Sequence, residues 1–192
     1  MARTIEFDRS EVLDKSVSIF WESGYCKTSI SDLVEATSLK PGSIYAAFKS
    51  KEGLFIASLN HYGNKGAMLL RDIINKAETP LEGIKQFFMQ ILGEINDNNK
   101  GCFLVNTILE VSPHELTIKN EVNKHLAVIE SILFTALELA LEKNELPNDA
   151  SPKDLVKFLM INIWGIRVLA RTNPSNETID AIQKQLFLSF EV

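Results

Sequence analysis

The side chains able to do covalent or metal chemistry are scattered along this chain. His61, His114 and His125 share no spacing that suggests a metal site, and Cys26 and Cys102 make neither a disulfide framework nor a ligand cluster. No glycine loop for a nucleotide, no paired His/Asp/Glu metal motif and no nucleophile elbow occurs. The sequence thus predicts no catalytic residue, no metal and no cofactor. The groups spaced for a task are anion binders near the N-terminus. In Lys40-Pro41-Gly42-Ser43-Ile44-Tyr45-Ala46-Ala47 the side chains flanking Ile44 are small or polar, so a backbone there can approach a groove closely. Tyr45 has a hydroxyl to donate to a phosphate. Ser50-Lys51 places a lysine, a helix dipole and free N–H groups at one anion site.

These residues need helices to position them, and the apolar periodicity is helical nearly throughout, with no persuasive alternating strand. Val12, Leu13, Val17, Phe20 and Trp21 form one stripe, and Gly24 stops it. Ser29-Ile30-Ser31-Asp32 has capping-box form and starts a short helix over 30–36, burying Ile30, Leu33 and Val34. Thr37-Ser38-Leu39 is a turn. Pro41 opens a second short helix at the position where its missing N–H costs nothing, with Ile44 and Phe48 facing the same core as Leu39. Two short helices joined by a tight turn and backed by a third have the geometry of a helix-turn-helix. A long helix follows from Ser50 to about Ala77.

Further starts lie at Thr79-Pro80-Leu81-Glu82 and at Ser151-Pro152-Lys153-Asp154. Asn96 to Gly101 and Pro147 to Ser151 read as loops, and Ser112-Pro113 divides a short helix from a long one over 115–144. Asn173-Pro174-Ser175 separates helices over 152–172 and 176–190. The fold class is all-α with nine helices. The division places a helix-turn-helix domain at 1–52 and a larger helical domain at 53–192.

Bulk charge does not favour a nucleic-acid partner. The net charge is −5, and residues 1–55 hold 7 Lys/Arg against 8 Asp/Glu. Affinity for DNA must come from placed residues, with Arg3 and Arg9 as candidates for a mobile arm or a merely solvated terminus. No apolar run is long enough to cross a membrane, and the acidic start does not suit a signal peptide, so a cytoplasmic location is expected.

The segment Thr28-Ser-Ile-Ser-Asp-Leu-Val-Glu-Ala36, with Leu39-Lys-Pro-Gly-Ser-Ile-Tyr-Ala-Ala-Phe-Lys-Ser-Lys-Glu-Gly-Leu54, resembles the DNA-binding domain of TetR/AcrR-type regulators. Gly24-Tyr25 is similar to that family's exit from helix one. The resemblance implies a nine-helix TetR-like fold whose three-helix head binds DNA and whose body binds a ligand and dimerises. It implies phosphate contacts from Thr28, Tyr45 and Lys51, and places Ser31, Lys40, Pro41, Ser43 and Ala47 near base edges or backbone. Many relatives carry Arg where Ser31 stands and bulkier residues near Ala46 and Ala47, which leaves Lys40 as the main direct reader of bases.

For the body, the resemblance implies that the last two helices of each protomer form a four-helix homodimer interface. Leu155, Phe158, Asn162, Ile166, Ile179, Ile182 and Leu186 are the expected interface residues. An unknown small-molecule effector is expected between the preceding helices, against Phe87, Phe103, His125, Phe134, Met160 and Trp164, most of which serve equally well as plain core. His125 is open to either role, polar selectivity or a hydrogen-bonded core histidine. Gly101-Cys102-Phe-Leu-Val-Asn-Thr-Ile-Leu-Glu110 is similar to a motif of one branch of the family, whose members include regulators of responses to reactive or toxic small molecules. Cys102 at a helix start is therefore a candidate thiol sensor, or a small hydrophobe packing that start. The functional expectation is a ligand-responsive repressor on a palindromic operator. A helical protein-binding scaffold and a small helical enzyme are the rivals.

Overall fold

The structure is a computed structural model that describes residues 7–97, 100–111 and 115–190. Arg3, the middle of the 96–101 loop, the Ser112-Pro113 break and His114 lie outside the described residues. The described residues form nine α-helices and no strand. They are α1 (Arg9–Ser23), α2 (Ile30–Thr37), α3 (Pro41–Phe48), α4 (Lys51–Lys76), α5 (Pro80–Asp97), α6 (Phe103–Glu110), α7 (Leu116–Glu142), α8 (Pro152–Leu169) and α9 (Asn176–Leu188). The one notable departure from the periodicity is at the end of α8. It stops at Leu169 and tightens into a 3-10 turn, Ala170–Thr172, before Asn173 takes a left-handed φ of 51° ahead of Pro174.

The helix starts follow from local chemistry. Asp8 Oδ1 accepts from the Ser10 and Glu11 N–H groups at 2.8 and 3.2 Å, satisfying two donors that the first turn leaves free. Ser29 and Asp32 form the reciprocal capping box, at 3.2 and 2.7 Å. The two bonds from Ser29 hold the Asp32 carboxyl below the usual carboxylate range. Thr79, Ser151 and Ser175 each accept an N–H three residues on, and Pro80 and Pro152 open their helices.

The chain packs as two compact units. The first draws on Met1–Lys65 and Asn106–His125, the second on Gly66–Val105 and Leu126–Val192. Helices α4, α6 and α7 therefore each contribute to both. In the first unit, Phe20 meets Phe55 edge to face at 4.8 Å between ring centres, and Tyr25 lies 4.6 Å from Phe55. Leu33, Ile44, Leu54 and Leu59 are completely buried there. Asp14 of α1 binds His61 and Lys65 of α4 at 2.8 and 2.5 Å, and the Lys65 bond is the main reason its carboxyl is lowered. The second unit has one large core that includes Leu70, Ile84, Phe88, Ile91, Leu133, Leu137 and Leu159. Arg167 reaches Glu94 at 2.8 Å, half-buried between α8 and α5.

His125 is buried within the first unit, where its Nε2 lies 2.8 Å from Asn60 Oδ1. Its other nitrogen faces Gly63, where an added Cβ would collide with the ring. Burial lowers the His125 pKa below its ordinary 6.5, so the neutral ring is the folded form near neutrality. Because the unfolded chain then binds the proton more readily, stability falls as pH drops below about 6.5 and levels off below the folded pKa. Urea melts between pH 5.5 and 7.5 should show that slope in the wild type and lose it in His125→Gln. Gly63→Ala should cost on the order of 1–3 kcal/mol in the same melts at pH 7.5, since the buried ring has nowhere to retreat.

Candidate nucleic-acid interface

Helix α3 is held from one side only. Ile44 and Phe48 are its buried residues, 0% and 5% exposed. Pro41, Gly42, Tyr45 and Ala46 are exposed, with Ser43 and Ala47 half-buried between the two faces. A Cβ added at Gly42 would meet nothing, so the first turn of α3 is bare. Lys40 is the N-cap residue, but its side chain makes no capping bond and is exposed. Ser31, the second residue of α2, is also exposed.

The corner between α3 and α4 fixes where that face points. The Phe48 carbonyl accepts the Ser50 N–H at 2.9 Å, and Ser50 Oγ accepts the Gly53 N–H at 3.0 Å to cap α4. Lys49, between them, takes a positive φ of 72°. A Cβ at residue 53 would collide with the Phe48 carbonyl oxygen, which is backbone and cannot swing away. Glycine at 53 is thus a requirement of this corner.

Two cations beside α3 rest on aromatic faces. The Lys51 ammonium lies 4.5 Å from the centre of the Tyr25 ring. The Arg9 guanidinium lies 4.6 Å from the centre of the Phe48 ring. Arg9 is therefore the first residue of α1 and stacked, not part of a free arm. Tyr25 keeps its phenol neutral: burial raises its pKa first, and the charges of Glu52 and Glu115 push the same way. Lys49, exposed, points its Nζ to the Ala46 carbonyl at 3.3 Å and adds a third cation to this side, one that the sequence reading passed over. Its place just ahead of the Ser50 cap was the available signal.

Thr28 differs from its expected role. It is 1% exposed, and its hydroxyl donates to the Gly24 carbonyl at 2.6 Å while its N–H reaches the same oxygen at 3.3 Å. That arrangement closes the turn between α1 and α2 and leaves the hydroxyl facing inward.

The residues expected around an effector do not share one environment. Phe87 and Met160 are buried in the core of the second unit, and Phe134 packs partly buried against it. Phe134 also lines a surface groove of about 360 Å³ with Lys153 and Lys157. Phe103 is 2% exposed at the start of α6, and Cys102 just before it is half-buried. His125 belongs to the first unit, as described above. Trp164, expected inside, is 40% exposed. Among the described residues no three His, Cys, Asp or Glu gather as a metal site, and no helix is long and apolar enough to cross a membrane.

Of the expected interface residues, Phe158 is exposed, Leu155, Asn162 and Ile182 are half-buried, and Ile166, Ile179 and Leu186 are buried in their own unit. The open apolar face of α8 instead runs through Phe158, Ile161, Trp164 and Val168. Between α8 and α9 lies a groove of about 540 Å³, lined by Phe158, Asn162, Ala181 and Ile182 among others.

Comparison with known proteins gives this geometry a context. Residues 12–58 match the family described as bacterial regulatory proteins, tetR family, and residues 80–186 match the tetracyclin repressor-like C-terminal domain. The chain is 34% identical over 176 residues to the HTH-type transcriptional repressor ComR of Escherichia coli K12, covering 90% of this chain and 84% of that protein. It is 23% identical over 191 residues to the HTH-type transcriptional repressor DhaR of a Mycobacterium species, covering 97% and 93%. Among solved structures, a cysteine mutant of the TetR-family transcriptional regulator CifR, complexed with a 26-bp double-stranded operator DNA, superposes with a TM-score of 0.85. The identity is 25%, and the match covers 96% of this chain and 97% of that one.

Substituting Gly53 by Ala should be more damaging than an ordinary surface change in a helix. The expected outcome is a loss on the order of 1–3 kcal/mol in urea unfolding, together with weaker retention on duplex DNA as the α3–α4 corner opens.

Proposed function

The chain belongs to the tetR family of bacterial regulatory proteins, and from that premise we propose that it is a repressor that binds a palindromic operator as a homodimer. The family consists of transcriptional regulators, and neither the enzyme nor the scaffold reading is retained. The observation that carries the proposal is the bare outer face of α3, with Lys40 free of capping duty at its start and the cations of Arg9, Lys49 and Lys51 beside it. In this reading α3 lies in a major groove. Lys40 reaches base edges, while Pro41 and Ala47 offer apolar contact to thymine methyls, with Ser31 and Ser43 close to the backbone. Tyr45 and Lys51 bind phosphates. Thr28 supports the turn behind them, since its hydroxyl is already bonded.

The homodimer is supported by the unpartnered apolar stripe on α8. Phe158, Ile161, Trp164 and Val168 are each at least 40% exposed along α8, beside the groove to α9. A symmetric pair of heads would span two half-sites about 34 Å apart. We infer a small-molecule effector in the second unit, near Phe87, Phe134 and Met160, large apolar side chains in or against that unit's core. Its release of DNA requires only about 1–3 kcal/mol of preference for the non-binding state. A regulator of this kind works where the chromosome is, in the cytoplasm.

A duplex carrying the promoter beside the chain's own gene tests the reading. Binding should fall steeply with salt, roughly linearly in a double-logarithmic plot. Retention that is weak and indifferent to sequence would sink it. Tyr45→Ala should weaken binding on all sequences alike, whereas Lys40→Ala should change the preferred bases, as a selection from a randomised half-site would reveal. Ile161→Glu should shift the protein to monomers in analytical ultracentrifugation and remove operator binding, because burying an unpaired carboxylate in an apolar interface is costly.

A further inference from the structure

The turn between α1 and α2 is held by a residue far away in sequence. Glu110, the last residue of α6, accepts the Cys26 N–H on Oε1 at 3.0 Å and the Tyr25 N–H on Oε2 at 3.2 Å. Its carboxylate lies against Gly24, where φ is +81° and a Cβ would stand 2.7 Å from Oε2. Gly24 is needed both for that conformation and for the approach of the carboxylate. The Gly24 carbonyl in turn takes the hydroxyl and N–H of Thr28, one residue before the Ser29 cap of α2. Tyr25 sends its ring the other way, onto Phe55 and under the Lys51 ammonium.

We propose that Glu110 is a positioning residue for operator binding: its carboxylate clamps the Tyr25 and Cys26 amides, and so fixes the ring on which the DNA-contacting Lys51 ammonium rests. This rests on the reading of Lys51 as a phosphate contact. The charge of Glu110 makes the proposal sharp. Removing a carboxylate that lies against a DNA-binding head ordinarily strengthens binding, because less negative charge opposes the phosphates. A clamp predicts the opposite sign. Bonds from amides to a carboxylate are charge-assisted, and their loss frees the turn that carries the ring.

The experiment uses the full chain and the promoter duplex, with affinity read across a salt series and amide exchange read at Tyr25 and Cys26. Glu110→Gln and Glu110→Ala should both speed exchange at those two amides and leave the second unit's amides unchanged. Glu110→Ala should lower affinity on the order of tenfold, as expected for losing a charge-assisted pair. In a Lys51→Ala background the same change should cost little more, since both act through one contact. The clamp is overturned by exchange at Tyr25 and Cys26 that stays slow in Glu110→Gln. It is equally overturned by affinity that holds or rises in the variants, or by losses that simply add to that of Lys51→Ala. A wild-type chain with no salt-dependent binding would instead overturn the operator reading, and this inference with it.

Discussion

A helix whose outer face must stay bare can be held only from behind, and that constraint governs the first unit. Helix α3 has eight residues and two buried anchors, Ile44 and Phe48. Such a short helix is unstable alone, because so few intrahelical bonds offset the ordering of its backbone. Its position therefore depends on the corner that follows it. There the Phe48 carbonyl meets Gly53 and the Ser50 N–H, while Phe48 itself lies under the Arg9 guanidinium. Any side chain at residue 53 would push that corner open and carry α3 with it.

The same economy explains how an acidic chain can face DNA. The head has no excess of positive charge, so its cations must be placed rather than numerous. Arg9 and Lys51 are each set on an aromatic face, which limits their freedom before any partner arrives. Less ordering is then left to be done on binding. The Tyr25 ring that holds Lys51 is itself fixed by Phe20, Phe55 and the hydrogen bonds that the Tyr25 and Cys26 N–H groups donate to the Glu110 carboxylate. Placement of the Lys51 charge thus depends on a contact between Tyr25 and a residue 85 positions beyond it.

The second unit divides its apolar residues differently from the periodicity of α8. A stripe through Leu155, Phe158, Leu159, Asn162, Ile166 and Leu169 is visible in the sequence, yet the helix is apolar on more than one side. Leu159 and Ile166 turn inward, while Phe158, Ile161, Trp164 and Val168 remain open. A helix with apolar residues all round needs partners on both faces. One partner is the unit's own core, and the second accords with a copy of the chain.

Alone, the sequence determined the elements and the bare face of α3. Capping boxes, N1 prolines and glycine stops act over three or four residues, so Ser29-Asp32, Thr79-Pro80 and Ser151-Pro152 could be read directly and their helices begin where expected. The outer face of α3 was legible for the same reason, since helical spacing from Ile44 and Phe48 fixes it. Tertiary structure decided what depends on distant partners. It turned the Thr28 hydroxyl inward to Gly24, set His125 against Asn60, brought Glu110 to the Tyr25 turn and left Trp164 outside. Periodicity states that a face is apolar or polar. Which element covers it is settled only when helices far apart in the chain compete to bury it.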